Sequence, residues 1–561
     1  GTYNDTPGTA CTDCVAGKYN DTPGTACTNC ALGKYSGTGS SECRYLYIQI
    51  GLDIYGDADG DMSGQSVSMS ADGKIVAIGA INNDDAGSNS GHVKVYEYDG
   101  TAWVQLGADI DGDAANDQSG HSVSMSADGK IVAIGAYLND DAGLDSGHVK
   151  VYEYVGTAWV QLGADIDGDA DGDMSGQSVS MSADGKIVAI GAINNDDAGS
   201  NSGHVKVYEY DGTAWVQLGA DIDGEAANDK SGWSVSMSAD GSIVAIGACY
   251  NDDAGVNSGH VKVYNWDGSA WVQLGADIDG DAADDYSGWS VSMSADGKIV
   301  AIGAFLNDDA GRNSGHVKVY EYDGTAWVQL GADIDGDAAY DFSGYSVSMS
   351  ADGTIVAIGA YNNDDAGRDS GHVKVYKYDE AANPAWVQLG ADIDGDAAYD
   401  QSGGSVSMSA DGSIVAIGAI LNDVNGTKSN AGHVRVYQIG QNQDCVAGKY
   451  SKTGSSECTD CVAGKYNDTP GTACTNCALG KYSGTTSATA ETTCTACVAG
   501  KYSGATSATD ETTCTAVSAG HQVNPDSSGQ TPCDTSSYSA GGIDSTCVTC
   551  PSGNYTADSD V

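Results

Sequence analysis

From Ser63 onward the phrase SG-x-SVSMSADG occurs seven times, headed by Gly64, Gly120, Gly176, Gly232, Gly288, Gly344 and Gly403, at a period of 56 residues that lengthens once to 59. A period of this length means supersecondary units that stack into an array or close into a ring, and it constrains the fold more than any composition does. The one long interval comes from YDEAANPAW at Tyr378 to Trp386, which replaces the usual YDGTAW at a turn. Residues 56–112 recur unchanged at 168–224, which points to recent duplication.

Within one unit four runs alternate or are rich in β-branched residues: Ser122 to Ser126, Lys130 to Ala136, His148 to Tyr154 and Trp159 to Gly163, here strands a, b, c and d. ADG, NDDAG with SG, and VGTA or YDGTA separate them, turn chemistries in which Asp and Gly tolerate positive φ. Four antiparallel strands per unit, repeated seven times, predict an all-β fold, a seven-bladed β-propeller of four-stranded blades. A β-solenoid is the structural alternative.

Tyr47 to Ile54 (YIQIGLDI) aligns with WVQLGADI, so a d strand precedes the first a strand, and no WVQL follows the seventh c strand at His433 to Tyr437. The orphan d strand is expected to complete the last blade, closing the ring and removing exposed sheet edges.

SG-x-SVSMS, IVAIGA and GHVKVY stand where FG-GAP repeats carry FG-x-SVA, VVGAP and GxVYVF, so the unit resembles that family, which forms the head propeller of integrin α chains. The resemblance implies propeller architecture and leaves ligand identity open.

The expected domains are 1–43, cysteine-rich repeats; 44–440, the propeller; and 441–561, cysteine-rich repeats again. The outer zones read C-x-x-C-x-x-GKY and are similar to the cysteine-rich repeats of ephrin-receptor and tumour-necrosis-factor-receptor ectodomains. Zinc needs four ligands per site, whereas spacings of 13 or 17 residues between pairs suit small disulfide loops. If the second Cys of each pair bonds the first of the next, the bridges are Cys14–Cys27, Cys30–Cys43, Cys445–Cys458, Cys461–Cys474, Cys477–Cys494 and Cys497–Cys514, with Cys533–Cys547 a looser match. Cys11 and Cys550 lie at ends that look cut, and Cys249, alone in a propeller strand, reads as a buried thiol rather than a nucleophile. SSEC at Cys43 and CVAGKY at Cys445 match a spacer that runs unbroken around Cys458, so the propeller looks inserted there, and Cys43 and Cys445 are expected to be neighbours.

The formal charge of -54 excludes nucleic acid as a partner and favours cations or basic partners. No apolar run approaches the length of a membrane span, so membrane insertion of this segment is not expected. The b–c and d–a loops share one face and make it acidic. In the d–a loop Asp109, Asp111, Asp113 and Asp117 stand at positions 1, 3, 5 and 9, with equivalent quartets at Asp165, Asp167, Asp169, Asp173 and at Asp277, Asp279, Asp281, Asp285. Such spacing lets alternate carboxylates converge on calcium, the one cofactor the chain suggests. Against it, the family's calcium loop lies in the a–b hairpin, which here has shrunk to ADG, and a solvated loop of turn-capping Asp side chains remains the other reading.

A His opens each c strand, from His92 to His433, and reads as a structural hydrogen-bonding residue. The Trp residues that open the d strands read as inter-blade packing, with sugar stacking as the alternative. No nucleophile with its base, phosphate cradle or dinucleotide fingerprint occurs, so an enzyme is not expected. Asn-x-Ser/Thr sequons at Asn4, Asn20, Asn425, Asn467 and Asn554 suit a glycosylated, secreted or cell-surface protein. Three functions follow: a subunit of a surface filament or sheath resembling a flagellar hair, through self-association; a calcium-dependent adhesion or receptor ectodomain binding other extracellular proteins; or a lectin binding glycans.

Overall fold

Why SVSMS, IVAIGA, HVKVY and WVQ form strands is visible in their burial. In the computed structural model the alternating positions Val93, Val95, Val132 and Ile134 are almost wholly buried, and Ala77, Val93, Val95 and Ile110 of blade 1 pack against Met125, Val132 and Ile134 of blade 2. Each such side chain contributes about 1.5–3 kcal/mol on leaving water. The structure describes residues 47–424 and 428–439 throughout, most of 458–551, and elsewhere short backbone strands at 2–3, 12–13, 18–19, 28–29, 34–35, 44–45 and 449–451.

Seven antiparallel sheets with order a-b-c-d make up the propeller. Blade 2 is typical: Ser122–Met125, Ile131–Ala136, His148–Tyr154 and Trp159–Gln161, with the register Val123↔Ile134, Ala133↔Val151 and Glu153↔Val160. The d strand is longer than WVQLG and broken. Gly163, at φ 82°, kinks it, and Ile166–Asp167 rejoins strand c opposite His148 and Val149. In blade 6 the same strand runs unbroken as Trp386–Asp394. The Gly of IVAIGA is required by close approach, because a Cβ on Gly135 would stand 2.2 Å from the carbonyl oxygen of Gly176 in the next blade.

The ring closes as the orphan strand requires. Tyr47–Gln49 pairs with His433–Ile439 through Gln49↔Tyr437 and Tyr47↔Ile439, and Ile54–Tyr55 adds Val434↔Ile54 and His433↔Tyr55. The seam core is built like the others, with Ile54, Val434 and Val436 against Val67, Val76 and Ile78.

Three sets of hydrogen bonds run round the whole circle. In the a–b turns Ala71 N–H donates to Ala127 O, and the relay continues through Ala183, Ala239, Ala295, Ala351 and Ala410, whose N–H returns to Ala71 O at 2.9 Å. Ser66 Oγ donates to Gly120 O, and the series ends with Ser405 Oγ on Gly64 O at 2.7 Å. Each Met N–H of SVSMS donates to a Ser Oγ one blade back, from Met125 on Ser68 to Met69 on Ser407, all at 3.0 Å. The serines of SVSMS are therefore inter-blade connectors. At the rim, Trp159 Nε1 donates to Leu106 O at 2.7 Å, and its counterparts do likewise in each blade that has the Trp. In blade 7 the place is taken by Tyr47, whose hydroxyl donates to Leu389 O.

Contacts divide the chain into two compact units, Tyr47–Ile439 and the flanking Gly1–Leu46 with Gly440–Val561. In the second unit Lys465–Tyr466 pairs with Thr475–Asn476, and the pattern recurs at Lys481–Tyr482 with Thr495–Ala496 and at Lys501–Tyr502 with Thr515–Ala516. Disulfides join Cys461–Cys474, Cys477–Cys494, Cys497–Cys514 and Cys533–Cys547, with Cα–Cα distances of 5.5–5.8 Å. A loop of this length gains roughly 3 kcal/mol from closure. Successive repeats are linked by backbone bonds such as Gly464 N–H to Ser483 O at 2.7 Å and Gly480 N–H to Ser503 O at 2.9 Å. The expected pairs Cys14–Cys27, Cys30–Cys43 and Cys445–Cys458, the proximity of Cys43 to Cys445, and all five sequons lie outside the described residues. Among the described residues no helix is long and apolar enough to cross a membrane.

Candidate binding face

The d–a loop is held between the b–c loops of two consecutive blades. Asn116 N–H donates to Ser88 O at 2.8 Å and Ser119 N–H to Ser90 O at 2.9 Å, both in blade 1. Asn139 Nδ2, in the b–c loop of blade 2, donates to Asp117 at 3.0 Å. Asp117 is 3% exposed and also accepts from Ala114 N–H, and burial pushes its carboxyl up despite these bonds. It holds the loop in shape.

The four carboxylates of one d–a loop therefore do not gather on one ion. Asp109 joins Asp57, Asp85 and His92 in blade 1, accepting from Gln105 Nε2 at 2.5 Å and standing 3.3 Å from Lys94 Nζ. Asp113 joins Asp141, His148 and Asp165 in blade 2. Asp111 lies in the strand opposite His92, where burial and then neighbouring carboxylates outweigh His92 and push it up. The same division places Asp165 in blade 2 and Asp169 in blade 3, and Asp277 in blade 4 and Asp281 in blade 5. Asp167 and Asp279 lie in the strand opposite His148 and His260, and Asp173 and Asp285 hold Asn195 and Asn307. The spacing 1, 3, 5, 9 brings the carboxylates to one face, but the kinked d strand hands them to different blades.

Calcium as the resemblance implies it does not fit the a–b hairpin either. Asp128 is the one carboxylate of that turn, and its Oδ1 accepts from Ser126 Oγ at 2.8 Å and Lys130 N–H at 3.1 Å, so it caps the turn.

The sequence reading missed the lysine of HVKVY. Lys150 pairs with Asp113 and stands 3.4 Å from Asp165, and Lys94, Lys206, Lys262, Lys318 and Lys374 repeat the arrangement, with Glu225 replacing the Asp in blade 4. Burial would lower the Lys150 ammonium, but the Asp113 bond and charge raise it above the ordinary lysine value. Blade 7 has Arg435 instead, 2.7 Å from Asp53 and paired with Asp396. The signal was present as one cation per repeat, two residues after each His. Nδ1 of His92, His148, His204, His260, His316, His372 and His433 is buried without a hydrogen-bond partner. Cys249 is fully buried and free.

A further feature breaks the sevenfold sameness. In blades 4 to 6, Trp233, Trp289 and Tyr345 occupy the x of SG-x-SV, where blades 1, 3 and 7 have Gln65, Gln177 and Gly404. With Tyr250, Tyr286, Phe305, Phe342 and Tyr361 they form a continuous arc of rings at the loop-bearing end of the innermost strands. Ring centroids are 4.6 Å apart for Trp233–Trp289, 4.3 Å for Trp289–Phe305 and 4.2 Å for Tyr345–Tyr361. Both phenylalanines of the chain lie in it. Aligning the repeats and asking where they differ would have found it. A separate cleft of about 230 Å³ between blades 1 and 2 is lined by Asp109, Asp111, Tyr152 and Trp159.

Fold and face together define a closed, seven-bladed β-propeller with one acidic, partly aromatic face, accompanied by disulfide-bonded repeats. A family model described as FG-GAP repeat matches residues 56–96, 109–152, 221–264, 276–320 and 333–376, so blades 1, 2, 4, 5 and 6 carry FG-GAP-type repeats. Residues 168–224, identical to 56–112, share that character. No curated protein matches the chain.

Proposed function

We propose that this chain is part of an extracellular, non-enzymatic adhesion protein whose propeller offers its acidic face to a partner. The observation that carries this reading is the aromatic arc of blades 4 to 6. A spacer built of equal blades has no use for a half-buried row of rings on one side of the ring, whereas aromatic side chains supply contact area at low entropic cost. FG-GAP-type repeats and four disulfides support an extracellular setting. The test is binding of labelled chain to an array of extracellular-matrix proteins and glycans. Retention on a protein spot that is lost in the double variant Trp289→Ala, Tyr345→Ala supports adhesion, and equal binding by both chains contradicts it. Retention on glycans favours a lectin, for which the cleft beside Trp159 is the alternative site.

A second reading, a filament or sheath subunit, is favoured by the backbone bonds that join successive cysteine-rich repeats. Electron microscopy of native material separates the two, since polymers support the filament and dispersed particles the adhesin. Calcium dependence of either activity is read by calorimetry, as a saturable heat with a raised melting temperature.

A further inference from the structure

In blade 2 the imidazole of His148 is 3% exposed, its Nδ1 has no hydrogen-bond partner, and that nitrogen lies 3.8 Å from Oδ2 of Asp141. One ligand atom from each of Asp113, Asp141, His148 and Asp165 lies within 4.8 Å of all the others. The same four positions converge in blade 1 (Asp57, Asp85, His92, Asp109), blade 3 (Asp169, Asp197, His204, Asp221) and blade 5 (Asp281, Asp309, His316, Asp333). A buried nitrogen without a partner is a cost that a fold normally avoids, and here it is repeated around the ring.

The charges point the same way. Lys150 neutralises one of the three carboxylates, leaving two negative charges beside the unpaired nitrogen, which one divalent cation balances. Each carboxylate carries two oxygens with about four lone-pair sites, so the ammonium and a metal can share it. With the proton on Nε2, Nδ1 has its lone pair free to coordinate. An imidazole among carboxylates suits an ion of borderline softness, whereas calcium takes oxygen shells.

We propose that these blades each bind one divalent transition-metal ion of the zinc, cobalt or manganese class, through the His Nδ1 at the start of strand c and carboxylates from the incoming d–a loop, the b–c loop and the kink of strand d. Blade 7 lacks the set, because Val424 stands where Asp141 stands in blade 2. The sites do not depend on the adhesion reading.

The test uses the full chain without a polyhistidine tag, stripped with chelator and titrated with Co2+, read by its visible d–d absorption. Saturable binding of at least four equivalents, displaced by Zn2+ and resistant to excess Ca2+, is expected from the four complete clusters. His148→Ala is expected to remove one equivalent. Asp141→Asn, at an exposed loop position, is expected to do the same and keeps the test decisive if the histidine variant fails to fold. A featureless titration, displacement by Ca2+ as readily as by Zn2+, or a stoichiometry unchanged in Asp141→Asn overturns the proposal.

Discussion

The guanidinium Nη2 of Arg435 lies 2.7 Å from Oδ2 of Asp53, so an ion pair joins the last c strand of the ring to the segment that precedes its first blade. The two side chains are 15% and 11% exposed. Burial pushes the Asp53 carboxyl up, but Arg435, Gln49 and Tyr55 together hold it below the ordinary value. Arg435→Ala leaves that carboxylate without its cation and is expected to cost about 1–3 kcal/mol, measured as a lowered thermal midpoint. Arg435→Lys, the residue of the other six blades, is expected to keep most of it.

If the ring is closed, the seam is bonded like every other junction. Ser405→Ala removes the bond to Gly64 O, and Ser178→Ala removes the equivalent bond to Gly232 O inside the array. Each is expected to cost about 1 kcal/mol. Denaturant melts that show a loss for Ser178→Ala and none for Ser405→Ala would contradict closure.

Acid should weaken the propeller before the carboxylate range is reached. His121, with its ring centroid 4.2 Å from that of Tyr137, is pushed down from 6.5 to about 4 by burial. His148 and His260 are lowered too, by burial first and the adjacent lysine second. A base whose folded pKa lies below its unfolded value binds fewer protons when folded. Its contribution is complete above pH 6.5 and is lost as pH falls through the folded value. Asp111 and Asp117, pushed up from 3.8, give the opposite slope just above that value. The midpoint is expected to fall between pH 6.5 and about 4. His121→Gln, the residue found at Gln65 and Gln177, is expected to remove roughly 1–3 kcal/mol of that loss. A flat pH profile would contradict the burial of these rings.

Much of this architecture is legible in the residues. The Tyr47 to Ile54 segment reads as a d strand because its apolar alternation matches WVQLGADI, and sheet edges explain why it must pair. What is not legible is the division of each acidic loop. Regular spacing in Asp109, Asp111, Asp113 and Asp117 suggests one ion, and only the positive φ at the Gly107 kink and the neighbouring blade's Lys150 send the carboxylates to separate clusters. The lysine was overlooked because a strand cation facing solvent and one paired across a blade junction look alike in a sequence. The aromatic arc is hidden for another reason: a repeat is defined by what recurs, and Trp289 and Tyr345 do not.

Cys249 sits at 0% exposure with its thiol pushed well up, by burial first, so the reactive thiolate is suppressed. Alkylation followed by peptide mass spectrometry is expected to leave it unmodified in native protein and label it after denaturation. It is the only cysteine of residues 47–439, so reductant is expected to leave propeller melting unchanged while opening Cys477–Cys494 and its neighbours. Rapid native labelling of Cys249 would contradict its packing.

Amide hydrogen exchange at Ile50 and Gly56 tests circular closure most directly. Their N–H groups donate to Val436 O and Gly432 O at 2.9 Å, as those of Leu162 and Gly168 donate to Val151 O at 2.7 Å and Gly147 O at 2.8 Å inside the array. With the ring closed, Ile50 and Gly56 exchange within about tenfold of Leu162 and Gly168. Exchange of Ile50 and Gly56 at the rate of an unprotected chain, while Leu162 and Gly168 stay protected, would show a ring left open at its seam.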